Sequence, residues 1–130
     1  MDWSNGKLRV LLVEDDADNA ASLAMLLRLW GHEVQTVGDG PAALQAARES
    51  PPDVALLDLG LPGMSGHEVA RRLQAPVQGK RPLLIAVTGF GEEKDRCKSE
   101  QAGIDLHLLK PVDPEILLRV LARFRDIVLP

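Results

Sequence analysis

Short apolar runs alternate with amphipathic stretches from residue 8 to residue 125. Leu8 to Val13 is apolar but for Arg9, a pattern that suits a strand covered on both faces. From Asp16 to Trp30, the residues Ala20, Leu23, Ala24, Leu27 and Trp30 recur at helical spacing, and Gly31 ends the helix. Glu33 to Val37 alternates and is partly β-branched, which predicts a second strand. Gly38-Asp39-Gly40 reads as a turn, Pro41 suits a first helical position, and Ala42 to Glu49 a short helix that Pro51-Pro52 breaks. Val54 to Leu57 is the third strand and Ser65 to Leu73 the third helix. After a loop over 75–81, Leu83 to Val87 is an apolar fourth strand. A polar helix over Glu92 to Ala102 ends at Gly103, and Leu106 to Leu109 is the fifth strand. The last helix, Asp113 to Arg125, carries Ile116, Leu117, Val120, Leu121 and Phe124 as its apolar stripe.

Each helix between two strands permits a right-handed crossover, so the strands pair in parallel. The expected fold class is α/β, a doubly wound five-stranded parallel sheet with helices on both faces. Ligands of such sheets bind beyond the carboxyl ends of the strands, near the switch point in strand order.

A length of 130 residues fits one domain, expected over 8–126 between short tails at 1–7 and 127–130. The net charge of −4 does not favour direct nucleic-acid binding. The single cysteine, Cys97, excludes an internal disulfide and fits a reducing compartment. No apolar run approaches the about 20 residues that span a bilayer, and the first residues lack the pattern of a secretion signal. The expectation is a cytoplasmic protein without a membrane partner.

The polar residues that follow the strands carry the chemistry. Glu14-Asp15-Asp16 follows the first strand, Asp58 the third, Thr88 the fourth and Lys110-Pro111 the fifth. If the strands are parallel neighbours, these groups meet in one crevice suited to a divalent cation and a phosphoryl group. Adjacent acids such as Glu14 and Asp15 bind a hard cation such as Mg²⁺, one directly and one through water. Asp16 serves better as a helix cap. Asp58 is the candidate nucleophile, because a carboxylate attacks a phosphoryl donor to form an acyl phosphate; an Asp after a strand is equally a turn former. Gly60 can offer its backbone carbonyl to the metal. Lys110 supplies a point cation for Asp58 or a phosphoryl oxygen, and the Thr88 hydroxyl can donate to the same oxygen. His107, three residues before Lys110, is a candidate switch residue packing in a cleft that depends on Thr88. His32, after Gly31, reads as incidental. His67-Glu68 lacks the second histidine of a zinc helix, since position 71 is Arg.

Four motifs in this order resemble the receiver domain of bacterial two-component response regulators, including those attached to hybrid histidine kinases. They are Val13-Glu14-Asp15-Asp16, Leu56 to Gly66 with Asp58 inside it, Ala86-Val87-Thr88-Gly89, and Leu109-Lys110-Pro111. The resemblance covers residues 8–125 and implies a flavodoxin-like, chemotaxis-receiver-like fold with strand order 2-1-3-4-5. It implies that Asp58 is phosphorylated, that Glu14, Asp15, Asp58 and Gly60 hold Mg²⁺, with Asp15 a direct ligand, and that Thr88 is the switch hydroxyl. It makes Lys110 the phosphate-pairing lysine and the Lys110–Pro111 bond cis. His107 stands where many members carry Tyr or Phe, and Ser65 replaces a frequent Asp while still capping its helix.

The function implied is a phosphoacceptor that takes a phosphoryl group from a partner phosphohistidine, on a histidine kinase or histidine phosphotransfer domain. The surface over 90–125 would then switch and meet an output partner or a second copy. Such a chain catalyses its own aspartyl phosphorylation and dephosphorylation and is a signalling switch, not a turnover enzyme. A Mg²⁺-dependent aspartyl-phosphate phosphatase is the first rival, but those enzymes carry a second Asp two residues on, where this chain has Gly60. A flavin module needs a Ser/Thr-rich loop where Glu14-Asp15-Asp16 stands. A phosphorylation-independent docking module is disfavoured by the complete set of acids, Thr and Lys. No room for an output domain follows Phe124, so the expectation is a free-standing regulator or a segment of a longer protein.

Overall fold

The structure is a computed structural model and describes residues 7–74, 81–89 and 102–128. Strands β1 (Arg9–Val13), β2 (Glu33–Val37), β3 (Val54–Asp58), β4 (Leu83–Thr88) and β5 (Leu106–Leu109) form one sheet in the order β2-β1-β3-β4-β5. All four pairings are parallel. Helices α1 (Ala17–Leu29), α2 (Gly40–Glu49), α3 (Gly66–Leu73) and α4 (Pro114–Val128) flank it. The doubly wound α/β fold and its strand order are as expected; the helix expected over 92–102 lies outside the described residues except for Ala102.

Period-two alternation within the strands splits the core into two layers. Leu11, Val13, Ala55, Leu57, Leu84 and Ala86 pack with the alanines of α2 and with Val69, Ala70 and Leu73 of α3. Val10, Leu12, Val54, Leu56 and Ile85 pack with Ala20, Ala24 and Leu27 of α1 and Leu117 and Leu121 of α4. Full burial of each Leu, Val or Ile contributes about 1.5–3 kcal/mol, so the paired layers hold the strand ends in fixed relation.

Helices α1 and α3 begin where the polar punctuation predicted, whereas α2 starts at Gly40, inside the expected turn and one residue before Pro41. Asp16 caps α1 by accepting from the N–H groups of Asp18 and Asn19, Asp39 caps α2 through Ala42, and Ser65 caps α3 through Glu68. Two strands run one residue longer than their apolar runs. Asp58 lies within β3, in register with Val87, and Thr88 closes β4 in register with Leu109. Ladder pairing, not hydrophobicity, sets these ends. The last helix likewise continues past Arg125 to Val128.

At the amino end of the sheet, side chains from neighbouring strands and turns satisfy strand N–H groups. Arg9 donates to Asp53 Oδ2 at 2.7 Å and Leu84 to Asp105 Oδ2 at 2.8 Å. Leu8 donates to His32 Nδ1 at 3.0 Å. His32 is therefore not incidental, as its place after a turn glycine suggested. It is only 4% exposed and serves as the acceptor for a buried backbone donor.

Candidate functional site

Asp58 and Glu14 meet because β1 and β3 are neighbours. The strand order reverses between them, which opens the crevice of a doubly wound fold. The Glu14 N–H donates to the carbonyl of Val37 at 3.0 Å, anchoring the residue after β1 to the end of β2. Asp58 is 7% exposed, its Oδ1 accepting from the Gly60 N–H at 2.8 Å. Lys110 donates from Nζ to Asp58 Oδ2 at 2.9 Å and stands 3.6 Å from Glu14 Oε1. Its backbone N–H donates to the carbonyl of Thr88 at 2.8 Å, tying the turn after β5 to the end of β4. The Lys110–Pro111 bond is cis, as the resemblance implied.

Carboxylate oxygens of Glu14, Asp15 and Asp58 lie within 4.8 Å of one another, with Asp15 exposed. Burial pushes the Glu14 carboxyl up, a proton shared with Asp58 and the charge of Asp58 push it further, and Lys110 opposes; the result is about 7. For Asp58, burial works upward, but hydrogen bonds from Glu14, Lys110 and the Gly60 N–H outweigh it and hold the carboxyl below the usual range. Burial works to lower Lys110, and its contacts with Asp58 and Glu14 more than offset this and raise it. Glu14 Oε2 is buried, and no donor among the described residues reaches it. That oxygen needs a proton or a cation. Three clustered carboxylates with such an oxygen are the donor set a hard divalent ion prefers, so the residues present fit Mg²⁺.

Thr88 is 1% exposed, and its hydroxyl has no hydrogen-bond partner among the described residues. It sits one residue past Val87, the register partner of Asp58. His107 is in register with Ala86 and is exposed, not packed in a cleft. Gly60 meets Asp58 through its N–H.

The crevice is larger than the acids alone define. A cleft of about 490 Å³ runs from Glu14, Asp58 and Lys110 between α1 and the turn before α4, with Leu23, Leu26 and Val112 in its walls. Leu23 reads as core in the sequence because it shares helical spacing with Ala20 and Leu27. Its place at the flank of that stripe, level with Leu26, is the signal that both face a cleft.

Residues 10–122 match the response regulator receiver domain family. The DNA-binding response regulator MtrA of Mycolicibacterium paratuberculosis is 42% identical over 118 residues, which are 90% of this chain and 51% of that protein. The chain thus spans about half the length of the curated relatives it matches. Among solved structures, the Vibrio cholerae chemotaxis protein CheY4 superposes with a TM-score of 0.83 at 29% identity, covering 91% of this chain and 98% of that one. The receiver domain of a Pseudomonas aeruginosa sensor histidine kinase, solved with a magnesium ion coordinated in its active-site cleft, superposes with a TM-score of 0.81 at 33% identity. It covers 92% of this chain and 98% of that one. Sheet order, clustered acids and these matches agree, and the chain belongs to the response regulator receiver domain family of two-component signalling.

Proposed function

We propose that residues 8–126 form a phosphoacceptor unit in which Asp58 takes a phosphoryl group from a phosphohistidine on a histidine kinase or histidine phosphotransfer domain. The observation that carries this reading is the 2.9 Å contact between Lys110 Nζ and Asp58 Oδ2 beside two further carboxylates. In the transfer, an Asp58 oxygen forms the new O–P bond as the P–N bond of the donor breaks. The electron pair of that bond leaves with the imidazole, which takes a proton from solvent. The Gly60 N–H and Lys110 hold the two Asp58 oxygens in place for the attack. Lys110 also meets the charge that gathers on the phosphoryl oxygens. Glu14, Asp15, Asp58 and Gly60 are the residues that would hold Mg²⁺, which when bound neutralises phosphoryl and carboxylate charge.

Thr88 then acts as the switch hydroxyl. A buried donor without a partner gains one when phosphoryl oxygens arrive nearby, which biases the surface over 90–125 between two packings. His107, exposed on the edge strand of that surface, follows the change. The reading makes the chain a cytoplasmic signalling switch that catalyses its own phosphorylation and dephosphorylation. Its partners are a phosphodonor at the Asp58 cleft and an output protein or second copy at 90–125.

The test is incubation with Mg²⁺ and acetyl phosphate, followed by intact-mass measurement. A single phosphoryl adduct is expected in the parent and none in Asp58→Asn. An adduct that persists in Asp58→Asn overturns the assignment.

A further inference from the structure

At the sheet end away from Asp58, four elements converge on one buried imidazole. The His32 N–H donates to the carbonyl of Leu27 in α1, and the Glu33 N–H of β2 donates to the carbonyl of Leu8. The Leu8 N–H donates to His32 Nδ1, and Leu8 itself is fully buried. Arg125 of α4 acts on the ring through its charge. Arg9 of β1, Arg28 of α1 and Glu33 of β2 line the same hollow, with Glu33 paired to Lys7 and Arg9.

We propose that His32 is an acid-sensitive latch, closed while Nδ1 accepts from Leu8 and opened when the ring is protonated. The chemistry is direct. An acceptor Nδ1 fixes the neutral tautomer with its proton on Nε2. Protonation turns Nδ1 into a donor facing another donor at 3.0 Å. It also adds positive charge to a ring that Arg125 already opposes, in a hollow whose lining Glu33 is engaged by Lys7 and Arg9. Burial, and then the charge of Arg125, hold the ring below its ordinary value of 6.5. The neutral form is thus favoured in the folded chain. The sign follows: this contribution to stability is complete above the unfolded value and is lost as pH falls through the folded one. Opening removes the tie between the Leu8 N–H and the turn between α1 and β2, leaving the Leu8 carbonyl held by the Glu33 N–H.

The test is an NMR titration of the full ¹⁵N-labelled chain from pH 7.5 down to 5. The ring nitrogens and the hydrogen-exchange protection of the Leu8 amide are both followed. Glu14 titrates in the same range at the other end of the sheet, so a local amide is the proper reporter. The expected result is the Nε2–H tautomer at the upper end and a loss of Leu8 protection of about tenfold for each pH unit between the ordinary 6.5 and the lower folded value, levelling off below the latter. His32→Asn, whose side-chain oxygen accepts without titrating, should keep its protection throughout. A proton on Nδ1 at pH 7.5, unchanged Leu8 protection as the ring protonates, or the same loss in His32→Asn overturns the latch. If His32→Asn fails to fold, the ring and amide titration of the parent decides alone.

Discussion

Lys110 Nζ reaches Asp58 Oδ2 at 2.9 Å although a whole strand lies between the elements that carry them. Two strand spacings amount to roughly 9–10 Å, and only a long side chain leaning over the end of β4 closes that gap. The contact forms because the Lys110 N–H is held by the Thr88 carbonyl, which sets the turn over the end of β4. Replacing Lys110 with Met keeps the stem and removes the charge. Phosphoryl uptake from acetyl phosphate should fall by on the order of a hundredfold, the usual cost of losing one preorganised charge-stabilising group. A time course of intact mass measures it, and uptake at the parental rate would sink the role given to Lys110.

The Glu14 carboxyl, raised to about 7, holds a proton through the mildly acidic range. A cation binding there must displace that proton, so Mg²⁺ affinity should rise with pH up to about 7 and then level off. In the metal-free chain the folded value stands above the ordinary 4.5. The associated stability is therefore complete below that value and is lost as pH rises toward about 7. Glu14→Gln should flatten both profiles. Mg²⁺ titrations and melting curves with chelator at several pH values check this; a slope unchanged in the variant counts against it.

Thr88→Val separates stability from switching. Burying a hydroxyl without a partner costs about 1–3 kcal/mol, and a methyl of the same shape avoids that cost. The unphosphorylated variant should be more stable by about 1 kcal/mol in urea unfolding, while spectral changes on phosphorylation shrink over 90–125. A destabilised variant would mean that the hydroxyl already has a partner.

Gly66 lies against the end of β3, at Asp58 and Leu59. A Cβ there would come within 2.6 Å of Leu59 Cα and 2.8 Å of the Asp58 carbonyl oxygen, both backbone atoms that cannot swing aside. Gly66→Ala should cost about 1–3 kcal/mol through overpacking and slow phosphoryl uptake by displacing Asp58. Gly38→Ala, with nothing within 4 Å of its Cβ, is the control and should leave uptake unchanged. Equal losses in both variants would show that the close approach at Gly66 does not matter.

Much of the fold was legible because its signals are local. β1, β3 and β4 are apolar runs, β2 alternates, the helices carry apolar stripes, and Asp16, Asp39 and Ser65 cap helices by hydrogen bonds spanning two or three residues. Strand ends were legible only to within a residue. Whether Asp58 and Thr88 join the ladder depends on Val87 and Leu109, partners distant in the chain. His32 was misread for the same reason: the group it serves, Leu8, is 24 residues away. Leu23 counts as core by spacing, and only the placement of α4 turns its flank of α1, with Leu26, into a cleft wall.

By itself the chain's residue order determined the alternation of strand and helix, the parallel sheet, and the arrival of acids, hydroxyl and lysine at strand ends. Those properties follow from periodicity and from which residue comes next. The tertiary structure alone decided that buried Asp58 lies beside half-buried Glu14, that Lys110 crosses β4 to reach them, and that His32 joins β1, α1 and β2. Charge interactions depend on distance and on exclusion of water. Neither quantity exists for residues 52 positions apart until the sheet has brought them to 2.9 Å.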